Sequence, residues 1–389
     1  GGEWIPPELS QQQIVWSECV IEGGKRFRAK LAKPQRRGGE SESKAKKEWD
    51  DYYRELNVLA FPVPEDWGET NITCNAKVTT NLPVSDLQKL VDPENSKPVM
   101  NTEQGGYIQF EFPEPFTLRS VTMNPGKYNR PAHSMEVQSS EDGQSFKKIG
   151  NLEPMMQSWQ TRLAVLTYTI PQTKSRFFRF VYHPASPIGY DEHMESGSYR
   201  GSTGKDAISD KARKMTEMID PLTISSIQLS SKACVHHWEG KTALVWGRSR
   251  RISVDEMPNK ACIPMDSIID LTNLMNADGF LDWQVPEGNW KIMRFGYTTM
   301  GRTNGSGIGQ GLEADKFSRE GARIAFEGWY QRILDHIGPR LSNEVVKMLN
   351  VDSWECGSQN WSPVFRDEFK ARRGYDVPKY LPIMAGIPV

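Results

Sequence analysis

Val345–Gly357, read VVKMLNVDSWECG, decides how the chain is built. Apolar and β-favouring residues (Val345, Val346, Met348, Leu349, Val351) run straight into Asp352, Ser353, Trp354 and Glu355. An apolar run of this length suits a strand covered on both faces, as in a parallel sheet. Carboxylates at the C-terminal tip of such a strand stand where α/β barrels place their chemistry. Side chains alternate along an extended tip, so Asp352 and Trp354 point to one side and Ser353 and Glu355 to the other. The two acids therefore need not form one pair. Glu355 is the candidate catalytic carboxylate, with Asp352 and Trp354 in its pocket. The competing reading has Asp352 capping or salt-bridging and Glu355 merely exposed.

Behind the tip, Cys356-Gly357-Ser358-Gln359-Asn360-Trp361 leads to Ser362-Pro363, an expected helix start with Ser362 as N-cap. Gly374, after Arg372-Arg373, is the expected stop. Upstream, Phe326, Trp329, Tyr330, Ile333 and Ile337 recur with helical period, and Gly338-Pro339 end that helix. Gly301–Gly311 holds five glycines but lacks the Gly-Lys-Ser/Thr of a phosphate-binding loop. It reads as a loop at the tip of the Trp290–Thr298 strand. Glu313, Asp315 and Lys316 follow it, as a sugar-facing group or as an ordinary ion pair. Strand, helix, strand, helix makes about two units of a parallel α/β fold.

The middle of the chain is all-β. Tyr107–Phe112 alternates strictly, and Leu118–Met123, Met135–Ser139, Phe146–Ile149, Leu163–Ile170 and Arg176–Tyr182 follow at sandwich spacing. Ser140-Glu141-Asp142-Gly143 is a turn. Residues 187–220 read as a long polar loop with a short helix at Ser209–Met218, and Leu222–Leu229 as a strand returning to the sandwich. Around this block, Gln12–Ile21, Phe27–Leu31 and Leu56–Pro64 are strand-like, as are Ala243–Ile252 and Ile268–Thr298, with turns at Asp278-Gly279 and Glu287-Gly288. The outer strands are expected to pair with one another, making the sandwich an insertion.

With 48 Lys plus Arg against 49 Asp plus Glu in 389 residues, no overall field favours nucleic acid or an anionic membrane. No apolar run is long enough to span a bilayer. Five scattered cysteines without paired zinc spacing read as free thiols, and His236-His237 lacks neighbouring ligands for a metal. There is no nucleophile elbow and no HExxH. Twelve Trp and twelve Tyr fit either sugar-lining faces or a large core.

Two resemblances sharpen this. The order YIQFEF, FTLRSVTM, MEVQSSEDGQSFKKIG, SRFFRFVY resembles the discoidin-like, galactose-binding-type jelly roll. DSWECGSQNWSPVFRDEFKARRGYDVPKYLPIMAG, GLEADKFS, IDLTNLMNADG with VPEGNWKIMRFGYT, and GGEWIPPELSQQQIVWSE resemble glycoside hydrolase family 106, the α-L-rhamnosidases. The resemblance implies a multidomain α/β plus all-β protein: a partial (β/α)8 barrel with a β-sandwich (jelly-roll) insertion and an additional β-region. The expected division is 1–68 (barrel loop and first β-region), 69–232 (sandwich), 233–300 (second β-region) and 301–389 (β/α units of the barrel). It implies inverting hydrolysis of terminal α-L-rhamnosyl linkages in polysaccharides, in a periplasmic or secreted compartment, with calcium associated with the site. Carried over by position, Glu355 matches one of two catalytic acids, read as general base with general acid as the alternative; Glu313, Asp352, Trp354, Gln359, Asn360 and Trp361 match substrate-binding positions. Two carboxylates must flank a scissile glycosidic bond. The second is expected outside this chain, which reads as an internal, by itself inactive, part of a longer enzyme. The alternative is a non-catalytic carbohydrate-binding module on a degenerate barrel scaffold.

Overall fold

The structure is a computed structural model that describes residues 4–36, 48–64, 67–125, 134–153, 155–157, 165–184, 221–245, 247–248, 259–303, 311–350 and 356–389. Three strands open the chain: β1 (Gln12–Glu22), β2 (Arg26–Lys30) and β3 (Arg54–Pro62). Nine follow: β4 (Lys77–Thr80), β5 (Met100–Thr102), β6 (Gly106–Asn124), β7 (Met135–Ser140), β8 (Lys147–Leu152), β9 (Met156–Gln157), β10 (Leu166–Tyr182), β11 (Leu222–Ile224) and β12 (Ser226–Ser230). The last four are β13 (Gly247–Arg248), β14 (Ile269–Asp270), β15 (Phe280–Gln284) and β16 (Asn289–Thr299).

The two ends of this β-rich stretch pair across the insertion. β16 runs antiparallel to β1 from Gln12↔Thr299 to Glu22↔Asn289, and its other edge takes β3, which carries β14. Period-two alternation divides the apolar residues between two clusters. Leu59, Phe61, Met293 and Phe295 face one, with Ile14, Trp16 and the C-terminal Leu381 and Ile387. Val58, Ala60 and Ile292 face the other, closed by Leu281 and Trp283 of the β2–β15 ribbon. Covered on both faces, β16 is buried almost throughout, its Lys291 and Arg294 paired with Glu18 and Glu55.

The inserted β-block is one sheet folded over its own core. β6 and β10 are long and bent, where the sequence reads as separate shorter strands. Pro113–Pro115 are exposed and mark the bend in β6; β10 shifts register between Thr169/Thr173 and Ser175/Phe177. In a straight strand, positions 112 and 116 would stand about 13 Å apart. Their rings instead stack at 4.2 Å, so the strand doubles back across the core. One layer holds β4, the first half of β6, the second half of β10, β7 and β8; the other holds β12 and the remaining halves. Phe110, Phe112, Phe178, Phe180 and Tyr182 are fully buried between them. Asp142 closes the β7–β8 turn by accepting the Gln144 and Ser145 N–H groups at 2.8 Å, which hold its carboxyl down to about 2. β11 pairs with β5 beside this block.

A buried polar seam joins the insertion to the body. Thr167 donates its N–H (3.2 Å) and hydroxyl (2.7 Å) to the Glu239 carboxylate, and Thr169 N–H donates to His236 Nδ1 (3.0 Å). Trp238 Nε1 donates to Thr167 Oγ1 (3.1 Å) while its ring meets Trp16 of β1 edge-on at 5.7 Å.

The parallel α/β half expected for 301–389 is not formed by the described residues: every strand pair is antiparallel, and no (β/α)8 barrel is present among them. The Arg319–Phe326 helix passes through a π-helical turn (Glu327–Gln331) into Arg332–Val345, kinked at Gly338 (φ 76°, ψ 166°). Val345 therefore ends a helix where a strand was expected to begin, and 346–350 are irregular. Val345 (63 %) and Met348 (84 %) are exposed, as are Trp329 and Ile333. A strand needs a neighbour for its backbone groups, and this run has none among the described residues. Ser362 is not the N-cap of the next helix, Phe365–Arg373, which begins later than expected with Val364 at the N-cap; the Ser362 hydroxyl donates to Asp315, and Gly374 (φ 77°) ends the helix. None of the five cysteines is in a disulfide. Residues 187–220, read as a loop with a Ser209–Met218 helix, and half of the Ala243–Ile252 strand lie outside the described residues.

Candidate active site

Gly311–Ser318 runs beside the start of β1 as a short antiparallel ladder. Thr303 bridges to Leu312 and Ser10 to Ala314; Gln11 N–H donates to Glu313 O (2.8 Å) and Asp315 N–H to Leu9 O (2.8 Å). Alternation sends Leu312 and Ala314 into a small apolar cluster with Ile5. It turns Glu313 and Asp315 the other way, toward residues 356–362. The glycine-rich stretch at 304–310 lies outside the described residues, but its two ends are held together by the Thr303–Leu312 bridge.

Asp315 is the knot of the site. It is 1 % exposed, and its carboxylate accepts three hydrogen bonds: Phe317 N–H (2.8 Å), Ser362 hydroxyl (2.6 Å) and Gln359 Nε2. Gln359 also donates to Trp361 O (2.9 Å) and accepts Lys316 N–H (3.1 Å). Asn360 Oδ1 accepts Ile14 N–H at 2.8 Å, and the N–H groups of Asn360 and Trp361 both reach Gln12 O at 3.2 Å. Residues 359–361 thus cover the edge of β1 that β16 leaves open. The Trp361 indole is 3 % exposed, between Tyr297 (6.1 Å) and Phe365 (5.0 Å).

Glu313 (7 % exposed) is paired with Lys316 and lies beside Cys356. Burial pushes the Glu313 carboxyl up, but the Lys316 hydrogen bond and charge oppose this, and the net result lies below the usual carboxylate range. Glu313 is therefore an acceptor at neutral pH, suited to hydroxyl groups and not to donating a proton. Burial and the Glu313 charge push the Cys356 thiol up to about 11, which keeps it protonated and poorly nucleophilic. The Arg302 carbonyl accepts Glu313 N–H (3.0 Å), and its Nε is buried beside Gly357.

Of the residues singled out from sequence, Glu313, Gln359, Asn360 and Trp361 are brought together at one end of β1. Gln359, Asn360 and Trp361 have internal partners, and the Trp361 ring face is covered by protein. Asp352, Trp354 and Glu355 lie outside the described residues. Sequence reasoning passed over the hinge role of Asp315 and its partner Ser362. The signal was the two-residue step from Glu313, which places both acids on one face of an extended segment.

Comparison with known proteins places the chain in a family. The family model described as alpha-L-rhamnosidase matches residues 1–389. A rhamnosidase structure from Novosphingobium sp. PP1Y superposes on all of this chain with a TM-score of 0.71 and 26 % identity. This chain covers 34 % of that one. A Formosa agariphila protein provisionally named a beta-glucuronidase is 40 % identical over 132 residues, 33 % of this chain and 11 % of the relative. With the model spanning every residue, the chain belongs to glycoside hydrolase family 106, the α-L-rhamnosidase family.

Proposed function

We propose that this chain forms one wall of the sugar site of a glycosidase that removes terminal α-L-rhamnosyl groups from polysaccharides with inversion. Glu355 is the proposed catalytic carboxylate, acting as general base; Asp352, Trp354 and Glu313 contact the sugar; Gln359, Asn360 and Trp361 hold the wall in place. The observation that carries this reading is the Asp315 knot. It fastens the GLEADKF segment to the CGSQNW segment, two of the stretches that carry the family resemblance, 44 residues apart at Asp315–Gln359. In sequence Glu355 directly precedes Cys356, which lies beside Glu313.

An inverting enzyme places its two carboxyl groups roughly 6.5–9.5 Å apart, leaving room for the attacking water. Glu313, held ionised by Lys316, supplies acceptors for substrate hydroxyls and leaves proton transfer to other carboxyls. The inserted sandwich, 69–232, joins the body through the Thr167–Glu239 seam. Calcium takes 6–8 oxygen ligands. Among the described residues no group of three or more His, Cys, Asp or Glu is disposed to hold a metal, so no step is routed through one. An exported compartment is part of the same proposal, and no helix among the described residues is long and apolar enough to cross a membrane.

The test is Glu355→Gln in an enzyme containing this chain, assayed on an aryl α-L-rhamnoside. The expected result is a loss of about 10³-fold or more in kcat with Tm unchanged, and β-rhamnose as the first product of the parent by NMR. Wild-type kcat in the variant would remove Glu355 from the mechanism, and α-rhamnose as first product would remove inversion.

A further inference from the structure

The ladder that carries Glu313 into the candidate site also carries a cation with no role so far. Thr303 and Leu312 face each other across it, and Glu313 N–H donates to Arg302 O at 3.0 Å. Arg302 and Glu313 are therefore directly opposite, one residue beyond that bridge. Directly opposite residues of an antiparallel pair project to the same face, with Cβ atoms about 5 Å apart. Leu312 turns into the apolar cluster with Ile5, so Glu313, and Arg302 with it, point the other way.

Both side chains meet the same short stretch of chain. Glu313 lies beside Cys356, and a Cβ on Gly357 would fall 3.5 Å from Arg302 Nε and 4.0 Å from its Cγ. In sequence this stretch directly follows the proposed catalytic Glu355. A carboxylate and a guanidinium set opposite each other would ordinarily pair. Here Glu313 takes Lys316 instead, and Arg302 forms no ion pair among the described residues. Its Nε is buried without an acceptor among them. The neighbouring cations are committed, Lys316 to Glu313 and Arg36 to Asp50. Arg302 is the one at this rim whose donors remain available.

The chemistry of the pair selects its ligand group. An ionised carboxylate only accepts hydrogen bonds and a guanidinium only donates them. An anionic group placed between them is repelled by Glu313, and a cationic one by Arg302. A hydroxyl both donates and accepts, so it satisfies the two together.

We propose that Arg302 is a specificity-determining residue of the sugar site, gripping one sugar hydroxyl jointly with Glu313: the hydroxyl accepts from the guanidinium and donates to the carboxylate. That the sugar is a rhamnosyl group rests on the reading of the site above. The added element is selection by hydroxyl position, since a donor and an acceptor matched to one hydroxyl reject the analogue that lacks it.

The test is steady-state kinetics of an enzyme containing this chain on an aryl α-L-rhamnoside and on its 2-, 3- and 4-deoxy analogues. Arg302→Met keeps the stem against Gly357 and removes the donors. It should lower kcat/KM on the rhamnoside about 30-fold, the size of one hydrogen bond to a charged group, with Tm unchanged. On one deoxy analogue the variant should match the parent, because the hydroxyl that Arg302 serves is already missing. On the other two it should lose as much as on the rhamnoside. Glu313→Gln should show its smallest loss on the same analogue. Unchanged kcat/KM in Arg302→Met overturns the assignment, as does an equal loss on all three analogues, the result expected of a purely structural residue. Smallest losses on different analogues for the two variants overturn the shared hydroxyl. A parent that turns over no α-L-rhamnoside overturns the sugar reading itself, a failure visible before any variant is made and so distinct from the others.

Discussion

Asp315→Ala is the sharpest test of how the candidate site is held. The substitution strips the acceptor from Phe317 N–H, the Ser362 hydroxyl and one Gln359 Nε2–H, all at a residue 1 % exposed. A buried donor left without an acceptor costs about 1–3 kcal/mol, and bonds to a charged group sit at the upper end. Ser362 can rotate, and Gln359 keeps Trp361 O, so the sum is expected to settle near 3–4 kcal/mol, within the range for breaking one side of a buried charged network. That corresponds to roughly 100- to 1,000-fold in local opening. Hydrogen exchange reads it directly, because the Asn360 and Trp361 N–H groups are bonded to Gln12 O only while the segment is docked. A peptide spanning 356–362 should exchange about 100-fold faster or more in the variant, while β6 and β10 stay protected. Ser362→Ala removes one donor with its bond and should give roughly a fivefold change. Exchange of 356–362 within threefold of wild type in Asp315→Ala would show that something else docks this segment.

Two further outcomes follow from buried acids and thiols. Burial pushes the Glu239 carboxyl from 4.5 up to about 7, against the pull of its Thr167 hydrogen bonds. The folded state then holds this proton more tightly than the unfolded chain, so the site costs stability above about pH 7 and the cost vanishes as pH falls toward 4.5. The shift corresponds to on the order of 3 kcal/mol. Glu239→Gln should be the more stable protein at pH 8 and lose that advantage by pH 5; parallel urea midpoints for both proteins across this range would refute the assignment. Cys356, with its thiol near 11, should react with a disulfide reagent at pH 8 on the order of 100-fold more slowly than a free cysteine. Glu313→Gln, which removes the neighbouring charge, should speed it; an unchanged rate would mean the charge does not control the thiol.

What the sequence announces here is local. Alternation marks β6 and β10; Gly279, Gly288 and Gly374 occur where the backbone takes positive φ. The β1–β16–β3 pairing also follows, because three apolar strands around an insertion need one another. The apolar run at Val345 is different. Five residues cannot distinguish a buried strand from the end of a helix, and length arbitrates poorly at that size. Its expected environment was a sheet, and with no strand neighbour among the described residues Val345 instead finishes a helix, while Val346, Met348 and Leu349 follow it as exposed irregular chain. Ser362 failed for a related reason. The helix begins at Phe365 with Val364 as its cap, and the Ser362 side chain, two residues earlier, reaches instead to Asp315, a partner remote in sequence. Gln359, Asn360 and Trp361 were legible as a group but not in detail, since an amide that binds a sugar and one that binds a strand edge are the same residue.

The doubled-back β6 and β10 have one more consequence. Each strand belongs to both layers, so neither layer owns a complete set of strands, and a half-folded insertion has no closed hydrogen-bond ladder to rest in. β6 must also meet β12, with Met123 opposite Ile227, across a separation of about a hundred residues. Such pairings carry a high loop-closure cost and slow the search for the native state. The insertion should therefore behave as a single, late-closing cooperative unit, with a slow refolding phase of its own. Because the Thr167–Glu239 seam is built on β10, that phase would also set when the seam to the candidate wall can form.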